Sequence, residues 1–188
     1  MAQRRERVVA SLRYSQPNRS RIGLSLQLLG YENGRGLGFE SAQGKINFDF
    51  NFDWIECRLT IHPAEKTSEP FTNSMDYQEL PFFINWLRVL PTKNSARYET
   101  YEPFFRMEVN RSGDDIFDVN LLPHTIRVST AEYGMAVKFP VSGSQVVTFA
   151  NELENELVGL QTKYSKQIEL WNQYKEITEK KGTGAWVT

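Results

Sequence analysis

The residues that most often carry out chemistry are few in this chain and lie far apart. The sequence has two histidines, His62 and His124, and one cysteine, Cys57. A transition-metal site needs three or four ligands at ordered spacing, and the chain has neither an HExxH pattern nor a second cysteine. Each histidine adjoins a proline, which is typical of a turn at the end of a strand. The sequence therefore predicts no metal site.

The sequence contains equally little evidence for a catalytic nucleophile or a general acid or base. Cys57 lies in an alternating segment with apolar residues on its own face, so we predict a buried thiol. Asp114 and Asp115 are adjacent in a turn-like segment, where aspartate is common because its side chain bonds to the local backbone. The glycine-rich segment 34–38 lacks the GxGxxG spacing, and a strand-like pattern follows it. We predict no catalytic residue and no bound cofactor, and an enzyme is the least favoured class.

Charged and aromatic side chains fit binding better than bond-making. Acidic residues, among them Glu108, are concentrated in the segment 98–122, and aromatic residues recur in the segment 164–186. Acidic clusters usually solvate a surface, but they also steer a protein onto a basic partner. Tyrosine and tryptophan on a helix either fill a core or anchor an interface. The candidate partner-binding residues are Glu99, Glu102, Asp114, Asp115, Asp118, Trp171 and Tyr174.

Length and composition suit one globular domain. The chain has 188 residues, of which 40% are hydrophobic, and a chain of this size buries a sizeable core. A single cysteine excludes an intramolecular disulfide and is compatible with the reducing cytoplasm, where we place the protein. No apolar run approaches the roughly 18 residues that a membrane-spanning helix needs, so we predict no membrane contact.

The net charge of −1 conceals a separation of charge along the chain. Residues 1–21 carry six arginines against one acid, a charge of +5, which leaves −6 for the remainder. This basic N-terminal arm is compatible with nucleic-acid binding. Terminal segments are usually poorly ordered unless they are tied down, and that is the interpretation we favour for the arm.

Hydrophobic periodicity predicts an α+β fold built on antiparallel strands. Apolar residues alternate with polar ones in several segments, which we predict to be the strands 22–28, 46–51, 54–61, 104–110, 116–122, 125–129 and 133–141. Five apolar residues at helical spacing predict a short helix near 79–90, namely Phe82, Phe83, Trp86, Leu87 and Leu90. After Ser142 the period predicts a long helix near 142–181, with Ser142 or Ser144 as the N-cap. A helix of this length is expected to project from the domain, to bend near Gly159, or to pack on a partner. We divide the chain into the arm, an α+β domain over 22–160 and a helical extension with a tail over 161–188.

The order of these segments carries a resemblance to a known family. The matching segments are NFDWIECRLTI, MDYQELPFFINWLRVL, RYETYEPFFRMEVN, DIFDVNLLP and YGMAVKFPVSGSQVVTFANELENEL. Over about residues 46–158 the chain resembles the WapI-type immunity proteins, the antidotes of contact-dependent bacterial toxins. The resemblance implies a non-enzymatic protein that binds a cognate toxin and covers its active surface. It implies no particular contact residues, so the candidates above depend on charge and residue type alone.

Two other functions stay open, and one candidate has a competing structural interpretation. The C-terminal helix has apolar residues at nearly 3.5-residue spacing from 153 to 174, which is compatible with an oligomeric structural or assembly protein. The basic arm is compatible with a nucleic-acid-binding factor. Glu102 precedes Pro103, and proline belongs at the first residue or the edge of a strand, so we favour a role at a strand entrance for this carboxylate.

Overall fold

Most strands of the protein form two antiparallel sheets, each followed by a helix. The computed structural model describes residues 9–15, 21–33, 38–41, 44–62, 70–101, 104–127, 130–133 and 136–180. Sheet 1 has the order β1-β2-β5-β6, with β1 Ala10–Ser15, β2 Arg21–Asn33, β5 Phe50–His62 and β6 Phe71–Asp76. A separate hairpin lies between β2 and β5 in the sequence and consists of β3 Gly38–Ser41 and β4 Gly44–Asn47.

Sheet 2 is a second meander. It contains β7 Ser95–Glu99, β8 Phe105–Arg111, β9 Ile116–Arg127, β10 Thr130–Tyr133 and β11 Val137–Ser142. The long strand β9 pairs with β8 on one side, and β11 and β10 pair with successive parts of it, residues 116–121 and 124–127. The helices are α1 Glu79–Val89, α2 Gly143–Lys163 and α3 Ser165–Lys180, and a 3-10 turn at Leu90–Thr92 follows α1. The predicted α+β class with antiparallel sheets, a short helix and a long C-terminal helical region is confirmed.

The core forms where the apolar faces of the sheets and helices meet. Along β5 the side chains of Ile55, Cys57 and Leu59 are buried, while the alternate residues Glu56 and Arg58 are exposed. On α2 the buried residues follow helical spacing along one face, at Val146, Phe149, Ala150, Leu153, Leu157 and Leu160. Burial of each large side chain stabilises the fold by about 2 kcal/mol before entropy is subtracted. The predicted burial of Cys57 is confirmed, and desolvation raises the pKa of its thiol.

The start of α2 is encoded locally. Ser142 is the N-cap, and its hydroxyl accepts a hydrogen bond from the Gln145 backbone N–H at 3.2 Å. The Gln145 side chain accepts one in return from the Ser142 backbone N–H at 2.8 Å, which completes a capping box. The Asp115 carboxylate also accepts a hydrogen bond from the Gly143 backbone N–H. The predicted N-cap at Ser142 is therefore confirmed.

Part of the segment assigned to the basic arm is a strand. Ala10–Ser15 form β1, and Ala10 and Leu12 are buried against the core. On the other face, the Arg13 guanidinium donates a hydrogen bond to the Ser25 hydroxyl at 2.8 Å. The alternation of small apolar and polar residues over 10–13 marks this strand, and the arginines around it obscured the pattern.

The predicted long helix is two helices. The break lies at Tyr164, whose backbone angles of φ −111° and ψ 18° leave the helical range, and not at Gly159, which lies within α2. Beyond the break, α3 places Trp171 against Phe48 and Phe52, so this helix packs on the aromatic core.

The opening segment of the predicted 98–122 hairpin contains a chain reversal. β7 ends at Glu99 and β8 begins at Phe105, and the two strands pair with each other. The Thr100 hydroxyl accepts hydrogen bonds from the backbone N–H groups of Phe104 and Phe105, at 2.9 and 3.2 Å. Glu102 lies outside the described residues.

No helix in the described ranges is both long enough and apolar enough to cross a bilayer.

The polar face of sheet 1 holds a histidine whose charge is disfavoured. His62 Nε2 lies 3.0 Å from the Ser25 hydroxyl oxygen, which also accepts from Arg13. Desolvation, with a smaller contribution from the positive charge of Arg13, lowers the pKa of His62 below its usual value near 6.5.

We expect His62 to make the protein less stable in mild acid. The unfolded chain binds a proton at this residue more readily than the folded one does. The contribution of neutral His62 to the free energy of unfolding is therefore fully present above about pH 6.5 and is lost as the pH falls below that value. Urea unfolding from pH 8 to pH 5 measures the slope. The His62→Gln variant, whose side chain does not titrate, is expected to show a smaller loss over the same range. Equal losses in both proteins contradict the prediction.

Candidate partner-binding surface

The outward face of sheet 2 displays its charges in rows that cross the strands. Strand register places Arg97 opposite Glu108, Glu108 opposite Asn120, and Asn120 opposite Lys138. A second row, at the end nearest the β7–β8 turn, pairs Glu99 with Arg106 and Arg106 with Leu122. A third places Asn110 beside Asp118. We call this surface the charged face, and its ionisable residues are Arg97, Glu99, Arg106, Glu108, Asp118 and Lys138.

Two arginines surround Glu99, one of the predicted acidic sites. Its carboxylate accepts hydrogen bonds from Arg106 at 3.1 Å and from Arg97 at 2.6 Å. These bonds lower the pKa of Glu99 to about 2, so the group is ionised throughout the physiological range. The sequence suggested an acidic surface here. Because two cations and one anion lie together at this end of the face, its charge is mixed instead.

Asp118 lies in a more open part of the charged face. Its side chain is exposed and has no hydrogen-bond or ion-pair partner within the described part of the chain. It borders a shallow groove of about 480 Å³, and Glu108, which accepts a hydrogen bond from the Asn120 side chain at 3.2 Å, lines the same groove. Lys138 also lines the groove. Two carboxylates in an open depression suit a basic side chain of a partner protein.

Two large aromatic side chains are exposed on elements that a hydrogen bond joins, helix α1 and the β7–β8 turn. Phe82 on α1 keeps 65% of its surface exposed, and Tyr101 in the β7–β8 turn keeps 75%. We call this pair the aromatic ledge. The sequence assigned Phe82 to the buried stripe of the helix, but the buried stripe of α1 contains Leu80, Phe83, Ile84 and Leu87. Phe82 is displaced by one residue, or 100°, from Phe83 and so faces solvent.

A buried carboxylate holds the ledge in place. Glu79, in the first turn of α1, is 1% exposed. Its Oε1 accepts hydrogen bonds from the Tyr101 backbone N–H at 2.8 Å and from the Tyr98 hydroxyl at 3.1 Å. Burial, followed by the charge and hydrogen bond of Glu79, raises the pKa of Tyr98. This carboxylate joins the helix to the β7–β8 turn and fixes the backbone from which Tyr101 projects.

Comparison with known proteins identifies the chain at the level of its family. A family model described as "Immunity protein WapI-like family" matches residues 15–160, which is most of the chain. The protein belongs to the WapI-like immunity protein family. No curated protein gives a significant match. A solved structure titled "Structure of the plant transcriptional regulator PBF-2" is similar with a TM-score of 0.45 and 12% identity, covering 86% of this chain and 88% of that chain.

The WapI-like match covers the candidate residues of sheet 2 but not those of α3. The charged face and the aromatic ledge lie within residues 15–160, whereas Trp171 and Tyr174 lie beyond them. Trp171 is 2% exposed, and its indole N–H donates to the Asp53 carboxylate at 3.2 Å. Tyr174 is half-buried beside it, with ring centroids 5.4 Å apart. In this WapI-like protein the two aromatics thus pack on sheet 1, and the structure does not bring them to the acidic candidates.

The two aspartates of the β8–β9 turn have structural contacts in this WapI-like protein. Asp115 accepts the Gly143 backbone N–H at the start of α2, at 3.2 Å. The backbone carbonyl of Asp114 accepts a hydrogen bond from the Arg111 guanidinium. Both side chains are exposed, and their role in partner binding stays a prediction, as does that of Glu99, Asp118, Trp171 and Tyr174.

The sequence patterns did not identify Glu79 as a buried residue. A glutamate in the first turn of a helix normally faces solvent and interacts favourably with the helix dipole.

Proposed function

We propose that this protein neutralises a cognate toxin by binding it, without chemistry of its own, through the aromatic ledge and the charged face. Family membership supports the immunity function. The observation that carries the choice of surface is the exposure of Phe82 and Tyr101, at 65% and 75%, on α1 and on the turn that Glu79 joins to it. Large apolar side chains left in water at one place are characteristic of protein–protein binding sites.

The composition of this surface matches what stable interfaces require. Aromatic residues supply most of the binding energy when a partner desolvates them, and a polar rim excludes water around them. Here the Glu99–Arg106 ion pair lies five residues or fewer from Tyr101 and provides such a rim. Glu79 holds the Tyr101 backbone before the partner arrives, so little conformational entropy is lost on binding.

The groove and the overall charge of the chain favour a basic toxin surface, although the charged face as a whole carries three acids and three cations. Glu108 and Asp118 line the groove, and the chain beyond residue 21 has a net charge of −6. Such a charge accelerates encounter with a basic partner, and the cations Arg97, Arg106 and Lys138 between the acids require a complementary pattern. The proposal places the protein in the cytoplasm of the producing cell, where it would meet its toxin before secretion.

We expect Tyr101→Ala and Phe82→Ala each to weaken toxin binding by about 30-fold, equivalent to roughly 2 kcal/mol. Both side chains are exposed, so thermal unfolding should change little. The measurement is calorimetric titration with the purified product of the neighbouring toxin gene, together with rescue of growth in cells that express that toxin.

Ile177→Ala is the matched control, because Ile177 is an exposed apolar residue on α3, outside the matched region. It should bind as the unmodified protein does. Failure of the unmodified protein to bind or to rescue contradicts the immunity function. Full binding by both ledge variants contradicts only the location of the surface.

The two alternative functions have less support and stay predictions. Leu170 and Ile177 are partly exposed on α3 at a spacing of seven residues, which is compatible with self-association of the C-terminal helical region. Nucleic-acid binding would use the arginines of residues 1–21, of which Arg13 bonds to Ser25 in sheet 1.

A further inference from the structure

One edge of sheet 2 is formed by β7, which stands at the end of the strand order β10-β9-β8-β7. Its register with β8 is continuous over residues 95–99, and just before it the Arg111 backbone N–H donates to the Asn94 carbonyl at 2.8 Å. In an antiparallel pair, residues that exchange such bonds alternate with residues that do not. The backbone N–H and C=O groups of Ser95 and Arg97 therefore point away from β8.

These outward groups are open to solvent in the part of the chain that the structure describes. Ser95 and Arg97 are exposed, and their outward backbone groups form no hydrogen bond with another described residue. Among the described strands, β7 pairs with β8 alone. We call the outward backbone groups of these two residues the β7 edge. A strand edge of this kind is a template on which another strand can pair.

An apolar stripe of helix α1 adjoins β7 on the core side of the sheet. Phe83 is fully buried against Tyr98 of β7, with ring centroids 4.7 Å apart. Trp86 also contacts Tyr98, at 5.4 Å, but is only half-buried. Phe82 and Val89 share the helix face of Trp86, at spacings of four and three residues, and are 65% and 40% exposed. The core side of β7 thus continues into apolar surface that this chain leaves uncovered.

The other side of β7 belongs to the charged face and ends in a cation. Register places Arg97 opposite Glu108 of β8, and its guanidinium donates to Glu99 on its own strand. The Arg97 side chain keeps 55% of its surface exposed. The next position of this cross-strand row lies beyond the β7 edge. Directly opposed residues on neighbouring strands attract when their charges are opposite, so this position favours a carboxylate.

We propose that an extended segment of the toxin adds to the β7 edge as a further antiparallel strand. Its backbone pairs with Ser95 and Arg97, and one of its faces carries an acidic residue opposite Arg97. Because side chains alternate along a strand, the neighbouring residues of the segment point to the core side and meet Trp86 of the apolar stripe. Strand addition gains affinity from backbone hydrogen bonds and specificity from these alternate side chains.

The segment is thus identified by its chemistry, an apolar–acidic–apolar alternation in extended backbone. The added strand is continuous with the aromatic ledge, because Tyr101 lies two residues beyond the end of β7 and Phe82 belongs to the apolar stripe. The inference rests on the proposed function, since the segment belongs to the toxin, and it adds the backbone pairing by which the toxin would be held.

Ser95→Pro tests the backbone pairing. Proline removes the outward N–H at the first residue of β7, a position where a sheet tolerates it, and leaves the bonds to β8 in place. Toxin affinity of Ser95→Pro should be about 30-fold lower than that of Ser95→Ala, which lacks the hydroxyl but keeps the N–H. Calorimetric titration with the purified toxin measures the difference, and thermal unfolding checks that both variants are folded.

Amide exchange in the unmodified protein is a second measurement that needs no variant to fold. By NMR, the N–H groups of Ser95 and Arg97 should exchange about tenfold more slowly or less in the toxin complex than in the free protein. Those of Ala96 and Tyr98 face β8 and should change less. For the acidic residue, Arg97→Glu should bind the toxin about fivefold more weakly than Arg97→Gln, because it opposes like charges.

The outcomes separate this inference from the proposed function. If the unmodified protein does not bind the toxin, both fail. If it binds, but Ser95→Pro and Ser95→Ala have equal affinities and the amides of Ser95 and Arg97 are not slowed, strand addition alone is overturned. Equal affinities of Arg97→Glu and Arg97→Gln overturn the acidic residue of the segment. Slowing of the same amides in the toxin-free protein as it dimerises overturns the proposal too, because the occupant is then a second copy of the chain.

Discussion

Replacing Trp171 with alanine is expected to lower the free energy of unfolding by about 3–5 kcal/mol, the usual loss when a large aromatic side chain is removed from a core. Trp171 is 2% exposed and lies edge-on to Phe48, with ring centroids 4.9 Å apart. Its indole N–H donates to the Asp53 carboxylate, which also binds Lys175 at 2.8 Å. The substitution removes the packing and the hydrogen bond together. Urea or thermal unfolding measures the loss.

The Trp171→Phe variant serves as the control. It keeps an aromatic ring in the cluster and loses the indole N–H, so we expect a cost of roughly 1–2 kcal/mol. Toxin binding by this variant also bears on the sequence-based prediction that Trp171 contacts a partner. If this variant folds stably and binds the toxin as tightly as the unmodified protein, Trp171 stabilises the core and does not contact the toxin. A stability loss below about 1 kcal/mol for Trp171→Ala would contradict the packing described above.

Removing the Glu79 carboxylate has the second largest expected effect. In Glu79→Ala, the Tyr98 hydroxyl and the Tyr101 backbone N–H lose their acceptor inside the protein. Each such loss costs about 1–3 kcal/mol, and relief of the desolvation of a buried carboxylate offsets part of it. We therefore expect a net destabilisation of about 3 kcal/mol. Equilibrium unfolding at neutral pH measures it.

Glu79→Gln keeps an acceptor oxygen at the same place and is the matched variant. It should cost less than half as much as Glu79→Ala. Toxin binding is expected to weaken in Glu79→Ala even under conditions where the protein remains folded, because the turn that carries Tyr101 is no longer held to α1. Equal stabilities for the two variants would show that the hydrogen bonds of this carboxylate contribute little.

Local patterns predicted much of the secondary structure and the family. Helix α1 begins at Glu79 as expected, because apolar residues recur at helical spacing and Pro91 follows the helix. The N-cap at Ser142 and the burial of Cys57 follow from interactions within a few residues or from strict alternation along one strand. The order of such segments was sufficient to identify the family, which the match over residues 15–160 confirms.

The candidate surface depended on contacts that are distant in sequence. Glu79 is 22 residues from Tyr101 and Asp53 is 118 residues from Trp171, and nothing near either acid in the sequence signals its partner. In the sequence Glu99 is one of several acids, and only the chain reversal at Thr100 brings Arg106 opposite it. Periodicity similarly placed Phe82 in the apolar stripe of its helix and Trp171 on a helix, but the structure leaves Phe82 exposed and buries Trp171.

The sequence by itself determined most of the segments that are strands and helices, though not β1 or the break at Tyr164, because backbone geometry links side-chain spacing to local conformation. The tertiary structure alone decided which polar groups are buried and paired, and which aromatic side chains remain in water. The physical reason is that burial is a property of two surfaces in contact. One segment shows that it has an apolar or charged face, but only its neighbour in space decides whether that face is covered.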